Sequence, residues 1–403
     1  MPHALTPAAR TAQLARWRAD TPGAEQSAHL NNAGAALPPR VVLEAMTTHL
    51  EREAMEGGYE AADAVAPAVQ AAYDALAQLV GAAPRNIAIV TSATHAFALA
   101  LSTIDFARGD VIVTSQDDYI SNQLMYLSLG ARLGVRVIRV SDAPEGGVDL
   151  DAMARAIRAE RPRLVALSWI PTSGGLVQPA AQVGALCRAA GVPFLLDACQ
   201  AVGQLPIDLN ALGADYLAAT GRKFLRGPRG IGFLAVSDAA LARGDHPLLP
   251  DMRGARWTAA DAFALVDDAR RFEQWEFPLA LVLGLGAAAC YALGVGVPAA
   301  AERAHALAAQ ARTQLGDIPG VRALDRGARL SAISTFAVGG REARALMLAL
   351  RARGVHTSAQ SRSDALIALD RAGATSLLRV SPHYYNTPDE VARCAEELRA
   401  LLR

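Results

Sequence analysis

Of the 39 basic residues in this 403-residue chain, 38 are arginine and one is lysine, Lys223. Arginine serves wherever only a cation is needed, but its guanidinium stays protonated and is no amine nucleophile. A sole lysine is therefore a candidate for amine chemistry such as a Schiff base, against the plainer reading of a chance survivor on a solvated face. Its position favours the first. Lys223 closes Thr220-Gly221-Arg222-Lys223, directly after the strand-like run DYLAAT, and Asp197 ends a second such run, PFLLDA, 26 residues earlier, with Gln200 three residues on. A third run, LVALSWI, opens into Pro171-Thr172-Ser173-Gly174-Gly175. In open α/β sheets ligands bind beyond the carboxyl ends of the strands, where all three clusters fall.

A Schiff-base lysine needs a carbonyl cofactor, and pyridoxal phosphate is the commonest. That cofactor requires an acid beside its pyridine nitrogen, which Asp197 can supply. It also requires an anion cup. The segment TSATHAFALA (from Thr91) joins a strand end to a helix start, where hydroxyls and free amides face an anion; ordinary helix capping by Thr91, Ser92 or Thr94 is the competing reading. Arg222 could add charge to the phosphate or merely pair with a nearby acid.

These residues need a scaffold, and the surrounding pattern provides one. From about residue 87 to 236, the runs IAIV, DVIVTS, VRVIRV, LVALSWI, PFLLDA, DYLAAT and IGFLAV alternate with helical stretches such as DLDAMARAIRAE and PAAQVGALCRAA. Continuous apolar runs suit strands covered on both faces, and the alternation implies a doubly wound, mainly parallel sheet. Helices starting near Pro39 and Pro67 lead into it. Beyond about 265 an apolar helix precedes a smaller α+β unit with ISTFAVGG, EARALMLALRARG and a terminal helix from Pro388. The expected division is an N-terminal arm (1–28), a large domain (29–264), and an interface helix with a small C-terminal domain (265–403).

Balanced charge, 39 basic against 39 acidic residues, gives no bulk field to draw in nucleic acid or a membrane surface. Residues 277–301 carry no charge, but their alanines and glycines fit a helix buried in the fold or at a subunit interface better than a membrane span. The start of the chain has no apolar core segment, so no signal peptide is expected. Four widely spaced cysteines without a CxxC suit a reducing cytosol, and no metal site is expected.

The stretch 195–236, LLDACQAVGQLPIDLNALGADYLAATGRKFLRGPRGIGFLAV, resembles the lysine region of class V aminotransferase-like pyridoxal-phosphate enzymes. That group includes cysteine desulfurases, selenocysteine lyases, isopenicillin N epimerase and the ergothioneine-pathway C–S lyase. HLNNAGAALP (from His29) and LLRVSPHYYNTPDEV (from Leu377) extend the likeness over nearly the whole chain. The resemblance implies fold type I: a large domain with a mainly parallel seven-stranded sheet plus the smaller C-terminal domain, in a homodimer. It implies Lys223 as Schiff-base lysine and Cα base, Asp197 at the pyridine nitrogen, and Gln200 at the phenolic oxygen. Ala93 and Thr94 match the phosphate turn, with Ser92 where glycine is usual. Tyr119 takes the place of the ring-stacking aromatic, often histidine. Thr220 and Arg222 replace a common serine and histidine and could reach the phosphate, and Thr172 joins the cofactor set. Arg379 matches the arginine that forks the substrate carboxylate. Asn31 and Ala33 lie in the loop that closes over substrate, and Trp275 and Glu276 in the piece a partner subunit contributes.

One departure is chemical. Desulfurases carry a mobile cysteine in the loop before the carboxylate arginine, whereas GVHTSAQSRSDA (from Gly354) has none. Cys199 could point into the site or be a small core residue. His356 and Arg362 could contact the substrate side chain, and His95 and His383 could act as acid–base groups or as local hydrogen-bonding residues. The expectation is a cytoplasmic cysteine-conjugate C–S lyase. An aminotransferase, an epimerase and a non-catalytic pyridoxal-phosphate-binding protein are its rivals.

Overall fold

The computed structural model describes residues 6–403; the first five, where the absence of a signal peptide was expected, lie outside the described residues. All seven expected strands form. They are β1 (Ile87–Val90), β2 (Val111–Ser115), β3 (Arg136–Val140), β4 (Leu164–Ser168), β5 (Phe194–Asp197), β6 (Tyr216–Thr220) and β7 (Gly232–Val236). They build one sheet in the order β1-β7-β6-β5-β4-β2-β3, in which only β7 runs antiparallel to its neighbours.

Alternate side chains of these strands enter two separate apolar layers, which is why the runs read as uninterrupted hydrophobics. Ile89, Val113, Val165, Leu167, Leu196, Leu217 and Phe233 face one layer. Val90, Ile112, Ala166, Leu195, Tyr216, Ala218 and Leu234 face the other. The edge strand β3 is the exception, with its arginines half-buried or exposed.

Two helices lead into the sheet as expected, α1 (Arg40–Glu56) and α2 (Ala66–Val80), with a short helix, Gly58–Ala64, between them. The uncharged stretch forms α3 (Leu279–Val295), packed on both. Small residues allow that approach: a Cβ at Gly286 would lie 2.5 Å from Ala72 Cβ, and one at Gly284 would lie 2.7 Å from Met46 Cγ. The chain then bends by 83° into α4 (Val297–Gly316), and among the described residues no single helix is long and apolar enough to cross a membrane.

The C-terminal part holds an antiparallel sheet of β8 (Val321–Ala323), β9 (Ser334–Val338), β10 (Ser358–Ser361) and β11 (Ser376–Val380), ordered β8-β9-β11-β10. The N-terminal segment joins it. Ala28 and His29 pair with Val355 and His356, and Ala28 and Leu30 sit in the same core as Phe336, Leu378 and Val380.

Candidate active site

Strand register delivers the polar clusters to one edge. Ser168 at the end of β4 pairs with Asp197 at the end of β5, Asp197 with Ala218 in β6, and Thr220 at the end of β6 with Gly232. Lys223 follows in a tight loop whose backbone closes on itself: Arg226 N donates to the Lys223 carbonyl at 2.9 Å, and Gly227 N to that of Gly221 at 2.8 Å. Lys223 is buried, only 7% exposed. Burial, opposed by the nearby Cys199, lowers its affinity for a proton; Arg222 and Arg379 push the same way and Asp197 against. Its Nζ lies 5.8 Å from the centroid of the Tyr119 ring.

Asp197 is buried too, and its carboxylate is held from two sides: Cys199 N donates to Oδ1 and Asn122 Nδ2 to Oδ2, each at 3.0 Å. Gln200 Nε2 donates to the Ala33 carbonyl and to Thr172 Oγ1, both at 3.1 Å, while its Oε1 has no partner. Thr172 also accepts from Arg379 Nη1 at 2.7 Å, and Arg379 Nη2 reaches Asn31 Oδ1 at 3.3 Å. Arg379 is buried without a carboxylate, its Nε is unpartnered, and burial together with Arg222 pulls its pKa down to about 10. A guanidinium so placed is an anion site in waiting. The Arg222 guanidinium itself donates to the Gly34 carbonyl, in the loop that holds Asn31 and Ala33.

Ala93–Leu101 forms a helix capped by Ser92, whose Oγ accepts from His95 N at 3.1 Å. The amides of Ala93 and Thr94, in the first turn, have no carbonyl four residues back in the helix, as an anion needs. The turn abuts β7 at Gly232, where a Cβ would lie 3.1 Å from Ala93 N and 2.3 Å from the Ala219 carbonyl oxygen.

Pyridoxal phosphate fits this set. There is a desolvated amine, a carboxylate a ring nitrogen could use, an aromatic wall, and free amides at a helix start.

Other candidates lie apart. Trp275 and Glu276 are exposed, in a groove with Tyr59, Gln70 and Arg270 that none of the Lys223 neighbours lines. Arg362 turns outward and forks Asp370 at 2.5 and 2.6 Å. His356 faces His29 and Ser27, at 3.4 and 3.3 Å. His95 Nδ1 is spent on Thr91 Oγ1 at 3.1 Å.

His383 is a fixed neutral imidazole. Its Nδ1 accepts from Tyr384 N, so Nε2 carries the proton and donates to the Phe224 carbonyl, both at 2.9 Å. Burial and Arg226 push its pKa down to about 3. The unfolded chain binds this proton near pH 6.5 and the folded chain does not, so stability falls as pH drops from 6.5 towards 3, by about 1.4 kcal/mol per unit. The urea midpoint should therefore decline over that window, and His383→Gln, which can still donate to Phe224, should flatten the slope. An equal slope in both proteins would refute the assignment.

Two groups escaped the sequence reading. Asp118 and Asn122 flank Tyr119, and no motif announces them. Arg226, fully buried, donates to the Leu37 carbonyl, Tyr384 and Thr21, and stacks on Tyr385 with 4.5 Å to the ring centroid.

Residues 28–394 match the aminotransferase class-V family. A probable hercynylcysteine sulfoxide lyase of Mycobacterium tuberculosis (strain CDC 1551 / Oshkosh) is 31% identical, over 96% of this chain and 92% of its own length. A probable cysteine desulfurase of Methanothermobacter thermautotrophicus is 27% identical, over 95% and 97%. Among solved structures, the apo cysteine desulfurase from Thermococcus onnurineus NA1 superposes with a TM-score of 0.88 at 22% identity, covering 100% of this chain and 99% of that one.

Proposed function

Because the chain belongs to the aminotransferase class-V family of pyridoxal-phosphate enzymes, we propose that it is a C–S lyase. It takes the Cα proton from an S-substituted cysteine and expels the sulfur group from Cβ, leading to pyruvate and ammonia. The observation that carries this reading is a stretch without a thiol beside the carboxylate arginine. Ser358 in β10 pairs with Arg379 in β11, and no cysteine occurs from Gly354 to Ala365. Cys199, near Lys223, does not replace it: burial and Asp197 raise its thiol well above the usual range, which keeps it protonated and a poor nucleophile. The 31% sequence identity to a probable hercynylcysteine sulfoxide lyase supports the same reading.

Bound pyridoxal phosphate supplies an electron sink for the bonds around the substrate Cα. Lys223 Nζ, biased by burial towards the neutral amine, takes the Cα proton. With the cofactor bound, Asp197 would hold a proton at the ring nitrogen, the Gln200 NH2 would donate to the ring oxygen in place of its bond to Ala33 or Thr172, and Tyr119 would wall one ring face. The amides of Ala93 and Thr94, with Thr220, hold phosphate. Arg379 forks the substrate carboxylate while Asn31 and Ala33 close the loop above it, with Arg222 tying Gly34 down.

The same reading makes the enzyme a cytosolic homodimer with domains at 29–264 and 265–403. The hairpin Ala255–Leu265 stands out with Trp257 83% and Phe263 55% exposed as a surface for a second copy, and Trp275, also exposed, donates its backbone N to Asp251 just before the hairpin.

The test is the visible spectrum of the enzyme, its mass checked for two chains by sedimentation, during titration with cysteine S-conjugates. The cofactor band should return as pyruvate accumulates. A stable amine form of the cofactor, reversed by a keto acid, would make the enzyme an aminotransferase. Sulfane sulfur released from cysteine would make it a desulfurase, and D-amino acid without pyruvate an epimerase.

A further inference from the structure

Behind Asp197 lies a second carboxylate, Asp118, at the turn between β2 and the helix Ile120–Leu133. One amide nitrogen serves both: Asn122 Nδ2 is 3.0 Å from Asp197 Oδ2 and 3.1 Å from Asp118 Oδ1. Asp118 Oδ1 also accepts from Ser168 Oγ at 2.6 Å and from Tyr119 N at 2.7 Å, and Oδ2 from Gln123 Nε2 at 2.8 Å.

The outer end of this chain fixes its polarity. Arg139 Nε donates to Gln123 Oε1 at 2.7 Å, and a guanidinium can only donate. Gln123 must therefore present its oxygen to Arg139 and its NH2 to Asp118, and Asp118 must accept. With Ser168, Tyr119 N and Asn122 on the other oxygen, every partner around Asp118 is a donor, which is the environment of an ionised carboxylate.

We infer that Asp118 is a positioning residue of the cofactor site: an anion, oriented from the surface through Arg139 and Gln123, that fixes Asn122 against Asp197 and the backbone of Tyr119 under the ring. Burial, with Asp197 behind it, raises its pKa above the ordinary carboxylate value, and the hydrogen bonds from Ser168, Gln123 and Asn122 pull the other way; it is the donor geometry that carries the ionised form. Its negative charge adds to that of Asp197 and strengthens the hold on a protonated ring nitrogen. This rests on Asp197 being the ring-nitrogen partner.

The test measures pyridoxal-phosphate affinity of apoenzyme by equilibrium dialysis, together with the visible spectrum and melting temperature of the reloaded enzyme. Asp118→Asn keeps the shape and removes the charge; affinity should fall about tenfold, the worth of one charge-assisted hydrogen bond, and the visible band should shift. Gln123→Met, at the half-buried end of the chain, should fall in the same direction by about threefold with little loss of melting temperature, and so stands in if Asp118→Asn does not fold. Unchanged affinity and band in a folded Asp118→Asn, or in Gln123→Met where that variant stands in, overturn the inference. Asp197→Ala separates the two levels: if it too binds cofactor normally, the reading of Asp197 fails, whereas its loss of binding beside a normal Asp118→Asn defeats only the role of Asp118.

Discussion

Lys223→Ala should lower kcat/KM by at least about 10,000-fold, because on the proposed reading one substitution removes both the covalent anchor of the cofactor and the base at Cα. The chain holds no second lysine to take over either task. Borohydride reduction of the wild-type enzyme should then fix the cofactor to a single peptide, the one containing Lys223. Label on any other peptide, or more than about 1% residual turnover in the variant, is incompatible with the assignment.

The second large effect falls on substrate binding. Arg379→Ala deletes a buried guanidinium whose fork, on the proposed reading, would make two charge-assisted hydrogen bonds to the substrate carboxylate, each worth about 1.5–3 kcal/mol. KM for the amino acid should rise about 100-fold or more, with kcat changed less and the visible band of the resting enzyme intact. Arg379→Lys should recover only part of the loss, since an ammonium keeps the charge but not the fork. The opposite pattern, a lost cofactor band at unchanged KM, would assign Arg379 to the cofactor pocket, where it already braces Thr172 beside Gln200.

Much of the scaffold was legible because the physics is local. Each strand of the large sheet is sealed on both faces, so Leu164–Ser168 or Phe194–Asp197 announces itself as an apolar run. Lys223 was legible through composition together with position, as the one lysine in a chain that otherwise writes arginine and at the end of a strand-like run. Sheet order was not, since nothing in GFLAV tells that it runs against its neighbours. The hairpin Ala255–Leu265 also escaped, because its side chains face outward and carry no alternation set by a core. Asp118 and Asn122 read as ordinary polar residues of a turn. Their meaning depends on Asp197, 75 residues from Asn122, and on Ser168, 50 from Asp118. Arg226 looked like one more arginine in a glycine–proline loop, and only the fold surrounds it with Thr21, Tyr384 and Tyr385.

The bond from Arg379 to Asn31 joins residues 348 apart, and Ser381 clasps the same loop through the carbonyl of Leu30. During synthesis the sheet with Asp197 and Lys223 can assemble long before β11 exists. A growing chain thus holds the residues proposed for the cofactor before it holds the arginine proposed for the amino acid. Contacts of such sequence separation are the slow ones to form. On those assignments the substrate seat is completed only with the last strand, Ser376–Val380.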